Sequence, residues 1–91
     1  MRFIGGPPTL AVEVRSETDY GAVGEAGLAA KRADYFEAGT EVVWDVDTMN
    51  ESVHIYRRSA PDQRTTYRRG QEAEAEPAVP GWKVAVDWIF S

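Results

Sequence analysis

The sequence contains no cysteine and only one histidine, His54. The absence of cysteine excludes disulfide bonds, thiolate nucleophiles and zinc sites built from thiolates. A lone histidine with no second ligand near it in the sequence is more typical of a structural residue than of a metal site. Chains without cysteine also suit a reducing compartment, so we expect a cytoplasmic protein.

Long apolar runs are missing as well. No stretch approaches the roughly 20 apolar residues that a membrane helix needs, and the N-terminal residues hold no apolar run of signal-peptide length. We therefore expect no membrane segment and no export. With 43% hydrophobic and 27% charged residues, the 91 residues predict one small folded domain that spans residues 1–91.

Positive charge is scarce, since the net charge is −5. An acidic protein repels polyphosphates, so DNA would bind only if a local basic patch overcame that repulsion. The arginines that could form such a patch are Arg57, Arg58, Arg64, Arg68 and Arg69, with Arg15 as a further candidate for a nucleic-acid contact. The alternative is that these arginines only face solvent on the outer sides of the strands.

Hydrophobic periodicity predicts a mixed α/β fold. The predicted elements are a strand at 9–15, a helix at 22–37, and strands at 41–46, 52–58 and 65–69. The first three would form a strand-helix-strand unit, and the later strands an antiparallel meander. Residues 59–63 and 70–80 are rich in turn and loop residues, and the apolar segment 81–90 should dock onto the core.

The predicted helix has two candidate buried stripes. One consists of small and apolar residues, and the neighbouring one contains Leu28, Lys31 and Tyr35. The first stripe is formed by Ala26, Ala29, Ala30, Ala33 and Phe36. The three tryptophans are expected to fill the core. They are Trp44, Trp82 and Trp88.

Glu13 and Lys31 are the two residues whose positions suggest chemistry. Glu13 interrupts an apolar strand, which costs free energy unless the carboxylate is paired or bound to a metal; the simpler alternative is a surface pair with Arg15. Lys31 could reach the carboxyl end of the first strand, where strand-helix-strand units bind ligands. Alternatively, it extends along the helix interface into solvent.

Five segments resemble, in order, the Uma-two family of bacterial endonucleases, which belong to the PD-(D/E)XK class. Residues 7–16 (PPTLAVEVRS) resemble its P-D-L-x-x-E-V-x-S strand, and Lys31, Tyr35 and Gly39 its K-x-x-x-Y-x-x-x-G helix. Residues 43–47 and 53–57 resemble its next two strands, and residues 80–90 its terminus. Each motif is weak by itself, but their shared order is specific.

The resemblance implies a restriction-endonuclease-like fold and hydrolysis of DNA phosphodiesters with Mg²⁺ or Mn²⁺. Glu13 matches the family's metal-binding glutamate, and Lys31 matches its catalytic lysine. Arg15 stands at the third position of the E-x-K triplet, where it is too basic to accept a proton.

The resemblance also implies an incomplete site. The family's catalytic aspartate lies on a strand upstream of the glutamate strand, and no residue here matches it. We therefore expect a truncated core, inactive as an isolated monomer, with an unpaired strand edge that favours homo-oligomers. The alternatives are a non-catalytic homologue that serves as a dimerisation or protein-interaction module, and a reading frame that begins further upstream.

Overall fold

The computed structural model describes residues 8–91, so Pro7, the first residue of the family-like strand motif, lies outside it. The elements are β1 (Leu10–Val14), α1 (Gly21–Ala38), β2 (Val42–Asp47), β3 (Ser52–Arg57), β4 (Ala60–Arg68), β5 (Glu72–Glu74), β6 (Lys83–Ala85) and α2 (Val86–Ile89). A short 3-10 turn, Glu17–Asp19, precedes α1.

Strands β1 to β4 form one sheet in sequence order. β1 and β2 are parallel, and Glu13 lies opposite Asp45. β2 and β3 are antiparallel, as are β3 and β4. The predicted strand-helix-strand unit and the antiparallel meander that follows it are both confirmed. The mixed α/β fold class is therefore correct.

Side-chain alternation gives this sheet two contrasting faces. What we call the apolar face carries Leu10, Val12, Val14, Val42, Trp44, Val46, Val53 and Ile55. What we call the polar face carries Ala11, Glu13, Arg15, Val43, Asp45, Asp47, Ser52, His54, Tyr56, Arg64, Thr66 and Arg68. All six residues of β2 are buried, as expected of a mostly apolar strand that is covered on both faces.

The hydrophobic core lies on the apolar face, under the segment from β5 to α2. Ala73, Ala75 and Val86 are completely buried there against β2 and β3. The prediction that the C-terminal segment docks onto the core is confirmed. The prediction that residues 70–80 form a loop without regular structure is wrong, because β5 pairs with β6 and its small alanines fit closely against the sheet.

The tryptophans divide between core and surface. Trp44 is buried, stacks on Trp82 with ring centroids 5.3 Å apart, and donates its indole N–H to the Glu74 carbonyl oxygen. Trp82 is 41% exposed and Trp88 72%, so the prediction of these two as core residues is wrong. The short helix α2 buries Val86 and directs Trp88 outward.

Helix α1 covers part of the polar face and ends as predicted. Gly39 adopts a left-handed conformation (φ 106°) that glycine reaches without strain, and its N–H bonds to the Phe36 carbonyl oxygen. Leu28 is the residue that α1 buries fully. The predicted stripe of alanines is exposed, so that part of the prediction is wrong. The surface beneath the helix combines apolar and polar side chains, and the stripe of Leu28, Lys31 and Tyr35 faces it.

Strand β4 begins earlier than predicted. Pro61 and Asp62 were expected in a turn at 59–63, but they lie within β4. The pairing register with β3 shifts between Tyr56 and Arg57, which leaves extra residues of β4 outside the ladder. β4 is an edge strand of the sheet in residues 8–91, and an edge tolerates proline because its N–H need not be donated. Within those residues, no helix has the length and apolar character to span a bilayer.

Candidate functional site

Glu13 lies on the polar face beneath α1, with two partners on that helix. The Tyr35 hydroxyl donates a 3.0 Å hydrogen bond to Oε1 of Glu13. The Lys31 ammonium nitrogen lies 3.7 Å from the other carboxylate oxygen, Oε2. The side chain of Lys31 is 55% exposed and that of Glu13 22%. The two predicted catalytic residues are therefore adjacent, at a position that solvent reaches.

The helix brings these partners together because Leu28, Lys31 and Tyr35 lie three and four residues apart, along one stripe. Leu28 is buried under the helix and fixes its orientation, so Lys31 and Tyr35 project toward β1. Burial and the hydrogen bond to Glu13 raise the pKa of Tyr35, which keeps the phenol protonated as the donor.

Arg15 makes a different pair from the one considered from sequence. Its guanidinium forms a two-point contact with Asp45, in which Nε and Nη2 each lie 2.8 Å from a carboxylate oxygen. It also bonds to both oxygens of Glu25 on α1, at 2.7 and 2.9 Å. These hydrogen bonds raise the pKa of Arg15. Only 6% of the residue is exposed. Arg15, which the sequence suggested as a nucleic-acid contact, therefore lies inside the protein and links β1, β2 and α1.

Asp47, at the end of β2, is the centre of a second group of hydrogen bonds. Its carboxylate accepts bonds from the Tyr20 hydroxyl at 2.7 Å and from the side-chain amide of Asn50 at 2.9 Å. Nε2 of His54 lies 3.1 Å from it. Burial acts to raise the pKa of Asp47, but these hydrogen bonds offset that effect and hold the pKa well below its usual range.

His54 links β2 to β4 through its two ring nitrogens. A carboxylate only accepts hydrogen bonds, so Nε2 carries the proton that faces Asp47. Nδ1 lies 2.8 Å from the Thr66 hydroxyl. This arrangement agrees with the structural role that the sequence favoured for the lone histidine.

The predicted arginine contacts lie in separate places. Arg57 binds Glu74 and the Glu76 carbonyl oxygen near the C-terminal segment. Arg58 binds Glu41 at 2.7 Å. Arg68 lies on the polar face of β4 together with Arg64. The structure thus groups Arg64 and Arg68 but does not unite all the candidate arginines in one patch.

A polar cavity of about 350 Å³ lies between α1, the carboxyl ends of β1 and β2, and strands β3 and β4. The residues that matter most for its chemistry are Arg15, Asp47, Ser52, His54, Arg64 and Arg68. Of these, Arg15 and Arg68 had been singled out from the sequence as nucleic-acid contacts, and Arg64 as a member of a basic patch.

Without a substrate phosphate, the described residues do not by themselves complete a Mg²⁺ site. Protein sites for Mg²⁺ use one or two carboxylates together with substrate phosphates. Glu13 supplies one carboxylate, while its cross-strand neighbour Asp45 is held by Arg15. Within residues 8–91 no group of three or more histidine, aspartate or glutamate side chains is arranged to hold a metal.

Sequence reasoning missed the roles of Asp45, Asp47 and Ser52. Asp47 stands in a segment whose family likeness had been noted, and two aspartates in an otherwise apolar strand were a signal of buried polar pairing. Ser52 carried no signal, because its position beside Arg68 depends on the pairing of β3 with β4.

Comparison with solved structures identifies a similar fold. The crystal structure of a protein from Anabaena variabilis, described as "a putative nuclease", superposes with a TM-score of 0.71 at 16% sequence identity. The match covers 92% of this chain and 44% of that one, so this chain spans less than half the length of its structural neighbour. At this identity the likeness concerns the fold alone.

Comparison with family models identifies the family. Residues 1–87 match the Uma-two model, which is described as "Putative restriction endonuclease". No curated protein matches the sequence significantly. Since the matched region includes all but the last four residues, the chain belongs to the Uma-two family of restriction-endonuclease-like proteins.

Proposed function

We propose that this chain is a nuclease-type domain for the hydrolysis of DNA phosphodiesters, in which Glu13 is a metal ligand and Lys31 its cationic partner. One observation carries the proposal: the carboxylate of Glu13 and the ammonium group of Lys31 lie 3.7 Å apart at a solvent-accessible place on the polar face. Family membership supports the same class of reaction.

Each residue has a defined task in this proposal. Glu13 would hold a Mg²⁺ or Mn²⁺ ion, which would supply a Lewis acid to activate water and neutralise phosphate charge. Tyr35 fixes one oxygen of Glu13 through its hydrogen bond, which orients the other oxygen toward Lys31. The exposed ammonium group of Lys31 is placed to stabilise negative charge that develops on a phosphate.

We further propose that the isolated monomer holds a metal too weakly for activity. Asp45, the carboxylate opposite Glu13 in the strand ladder, is neutralised by Arg15 and is not free to act as a ligand. Residues 1–7 contain neither aspartate nor glutamate. A second carboxylate would therefore come from another copy or from another polypeptide segment.

Metal binding and plasmid nicking with Mn²⁺ test both the role of Glu13 as a metal ligand and the inactivity of the isolated monomer. In an NMR titration, millimolar Mn²⁺ should broaden the amide signals around Glu13 in the native chain and leave them sharp in Glu13→Gln. Plasmid nicking by the isolated chain should stay at background. Glu37→Gln, an exposed glutamate at the end of α1, is the matched control.

Two outcomes would contradict the proposal. If Mn²⁺ broadens the same signals equally in Glu13→Gln, Glu13 is not the ligand. If the isolated chain nicks DNA and both Glu13→Gln and Lys31→Ala abolish the activity, the site is complete in the monomer. Lys83→Ala changes the only other lysine of the chain and controls for loss of charge.

The second candidate function is a dimerisation or protein-interaction module. β1 lies at one edge of the four-stranded sheet in the described part of the chain. Its apolar residues Val12 and Val14 are 50% and 62% exposed, and edges of this kind pair readily with another strand. Light scattering should show a dimer for the native chain and a monomer for Val14→Lys. A native monomer at high concentration would exclude this candidate.

A further inference from the structure

The polar cavity contains a buried hydroxyl group that lacks a partner. Ser52 is completely buried at the start of β3, and its Oγ finds no hydrogen-bond partner among residues 8–91. An unsatisfied buried polar group is costly, and such groups are rare in folded proteins. Ser52 lines the cavity, so a ligand there can accept the proton of its hydroxyl group.

Two arginines without ion pairs line the same cavity. Arg68 lies opposite Ser52 in the strand ladder, and Arg64 lies opposite Tyr56 on the same face. In the described part of the chain, neither guanidinium makes an ion pair or a side-chain hydrogen bond. Of the five other described arginines, four pair with a carboxylate, namely Arg15, Arg57, Arg58 and Arg69. The fifth, Arg32, lies over the ring of Tyr56.

The acidic residues at the cavity already have partners. Asp47 accepts hydrogen bonds from Tyr20, Asn50 and His54. Glu25 is paired with Arg15. After Arg15, Arg64 also helps to lower the pKa of Glu25, but neither Arg64 nor Arg68 forms a hydrogen bond or ion pair with these carboxylates. Their guanidinium groups therefore keep their donors available, in a protein whose net charge is −5.

We infer that the cavity is a phosphate-binding site formed by Arg64, Arg68 and the hydroxyl group of Ser52. Two guanidinium groups and a hydroxyl group offer donors in several directions, which suits the oxygens of a phosphate better than the two oxygens of a carboxylate. The site is separate from Glu13 and Lys31, which do not line the cavity, and it does not depend on the proposed nuclease activity.

Inorganic phosphate is the first probe, because it presents the shared chemistry without a base or sugar. In an NMR titration against sodium chloride of equal ionic strength, phosphate should bind saturably and shift signals of β3 and β4. Arg64→Gln and Arg68→Gln should each weaken binding about tenfold or more, because each removes charged hydrogen bonds. Arg58→Gln, which removes an arginine paired with Glu41, should leave binding unchanged.

Ser52→Ala separates a binding role from a structural one. The substitution removes an unsatisfied hydroxyl group, so the free protein should be as stable as the native chain or more stable. Its affinity for phosphate should nevertheless fall several-fold. If Ser52→Ala destabilises the protein and leaves affinity unchanged, the hydroxyl group has a structural role and this assignment is wrong.

Nucleotide probes then identify the source of the phosphate. If a 5′-phosphorylated oligonucleotide competes with phosphate and its 5′-hydroxyl counterpart does not, the ligand is the end of a DNA strand. If only a mononucleotide competes, the ligand is a free nucleotide. Glu13→Gln should keep phosphate binding even where metal binding is lost. No saturable binding, or equal binding by the Arg64→Gln/Arg68→Gln double variant, would overturn the inference.

Discussion

The two faces of the sheet are covered by different kinds of contact. On the apolar face, Ile55 and Val53 are completely buried against β5 and α2. On the polar face, α1 is attached through ion pairs and hydrogen bonds, among them Arg15 to Glu25 and Tyr35 to Glu13. The four-stranded sheet therefore has its main hydrophobic core on one side. On the other side it has a buried polar network beside a few apolar contacts, such as those of Leu28 and Val43.

Because of this difference, we expect the apolar face to contribute most to stability and the polar face to carry the chemistry. Apolar burial is non-directional and favourable in proportion to its area. A buried ion pair offsets its own desolvation only with good geometry, and the loss of one partner is then costly. The candidate catalytic pair and the proposed phosphate site both lie on the polar face. We expect that face to respond most strongly to single changes of charge.

The largest effect is expected from Arg15→Met. This substitution leaves Asp45 buried without its partner, at a cost of about 3–5 kcal/mol in the free energy of unfolding. Urea denaturation monitored by circular dichroism measures it. Arg58→Met, which breaks an exposed pair with Glu41, should cost less than about 1 kcal/mol.

A double substitution sharpens the same comparison. In Arg15→Met/Asp45→Leu the buried charge is removed together with its partner, and Glu25 is half exposed and can be solvated. Stability should then recover most of the loss, as it does when apolar residues replace a buried ion pair. A double variant as unstable as Arg15→Met alone would mean that the geometry of the polar network itself is required.

On the apolar face, Ile55→Ala should cost about 2–5 kcal/mol because it leaves a cavity in the core. Val12→Ala changes an aliphatic residue on the same face that is half exposed, and should cost less than about 1 kcal/mol. Denaturant unfolding of both variants measures the difference. Equal losses would show that β1 is covered in solution, for example by a second copy of the chain.

The order of the first elements was predictable because it depends on local patterns. Alternation predicted β1, good helix formers and Gly39 predicted α1, and an apolar run predicted β2 as a central strand. The side of β1 that α1 covers was not predictable. Alternation puts Val12 and Val14 on one side of β1 without showing what covers them, and the C-terminal segment covers β2 and β3 and leaves these two valines exposed.

The candidate site was predictable only in part. Glu13 and Lys31 were singled out by their positions and given catalytic roles by the family motifs, and the structure places them side by side. The partner of Arg15 was missed because Asp45 lies 30 residues away in sequence, whereas Glu13 is on the same strand and appeared the closer choice. Contacts between strands depend on register, and a single sequence does not supply it.

Asp47→Asn should cost about 1–3 kcal/mol, because it removes a buried charge that several donors stabilise. The lowered pKa of Asp47 also predicts the sign of a pH effect. The stabilisation is full above the ordinary carboxyl pKa of 3.8 and is lost as the pH falls below it. Urea denaturation from neutral pH down to about pH 2, which extends well below the ordinary carboxyl pKa, should show a smaller loss of stability in Asp47→Asn. Asp62→Asn, an exposed aspartate, should leave the native slope unchanged.

The smallest effect is expected from Tyr35→Phe, which removes the hydroxyl donor to Glu13. The loss should be about 1 kcal/mol, the usual net value of one hydrogen bond. Because burial and the bond to Glu13 raise the pKa of Tyr35 above its ordinary 10.0, the phenol stabilises the fold below that pH and loses this contribution as the pH rises through the elevated pKa. In an ultraviolet titration, Tyr35→Phe should lose a late-ionising component that the native chain shows and that Tyr67→Phe retains. If the late step persists in Tyr35→Phe, α1 does not hold Tyr35 against Glu13 in solution, and the polar face loses one of the contacts that define it.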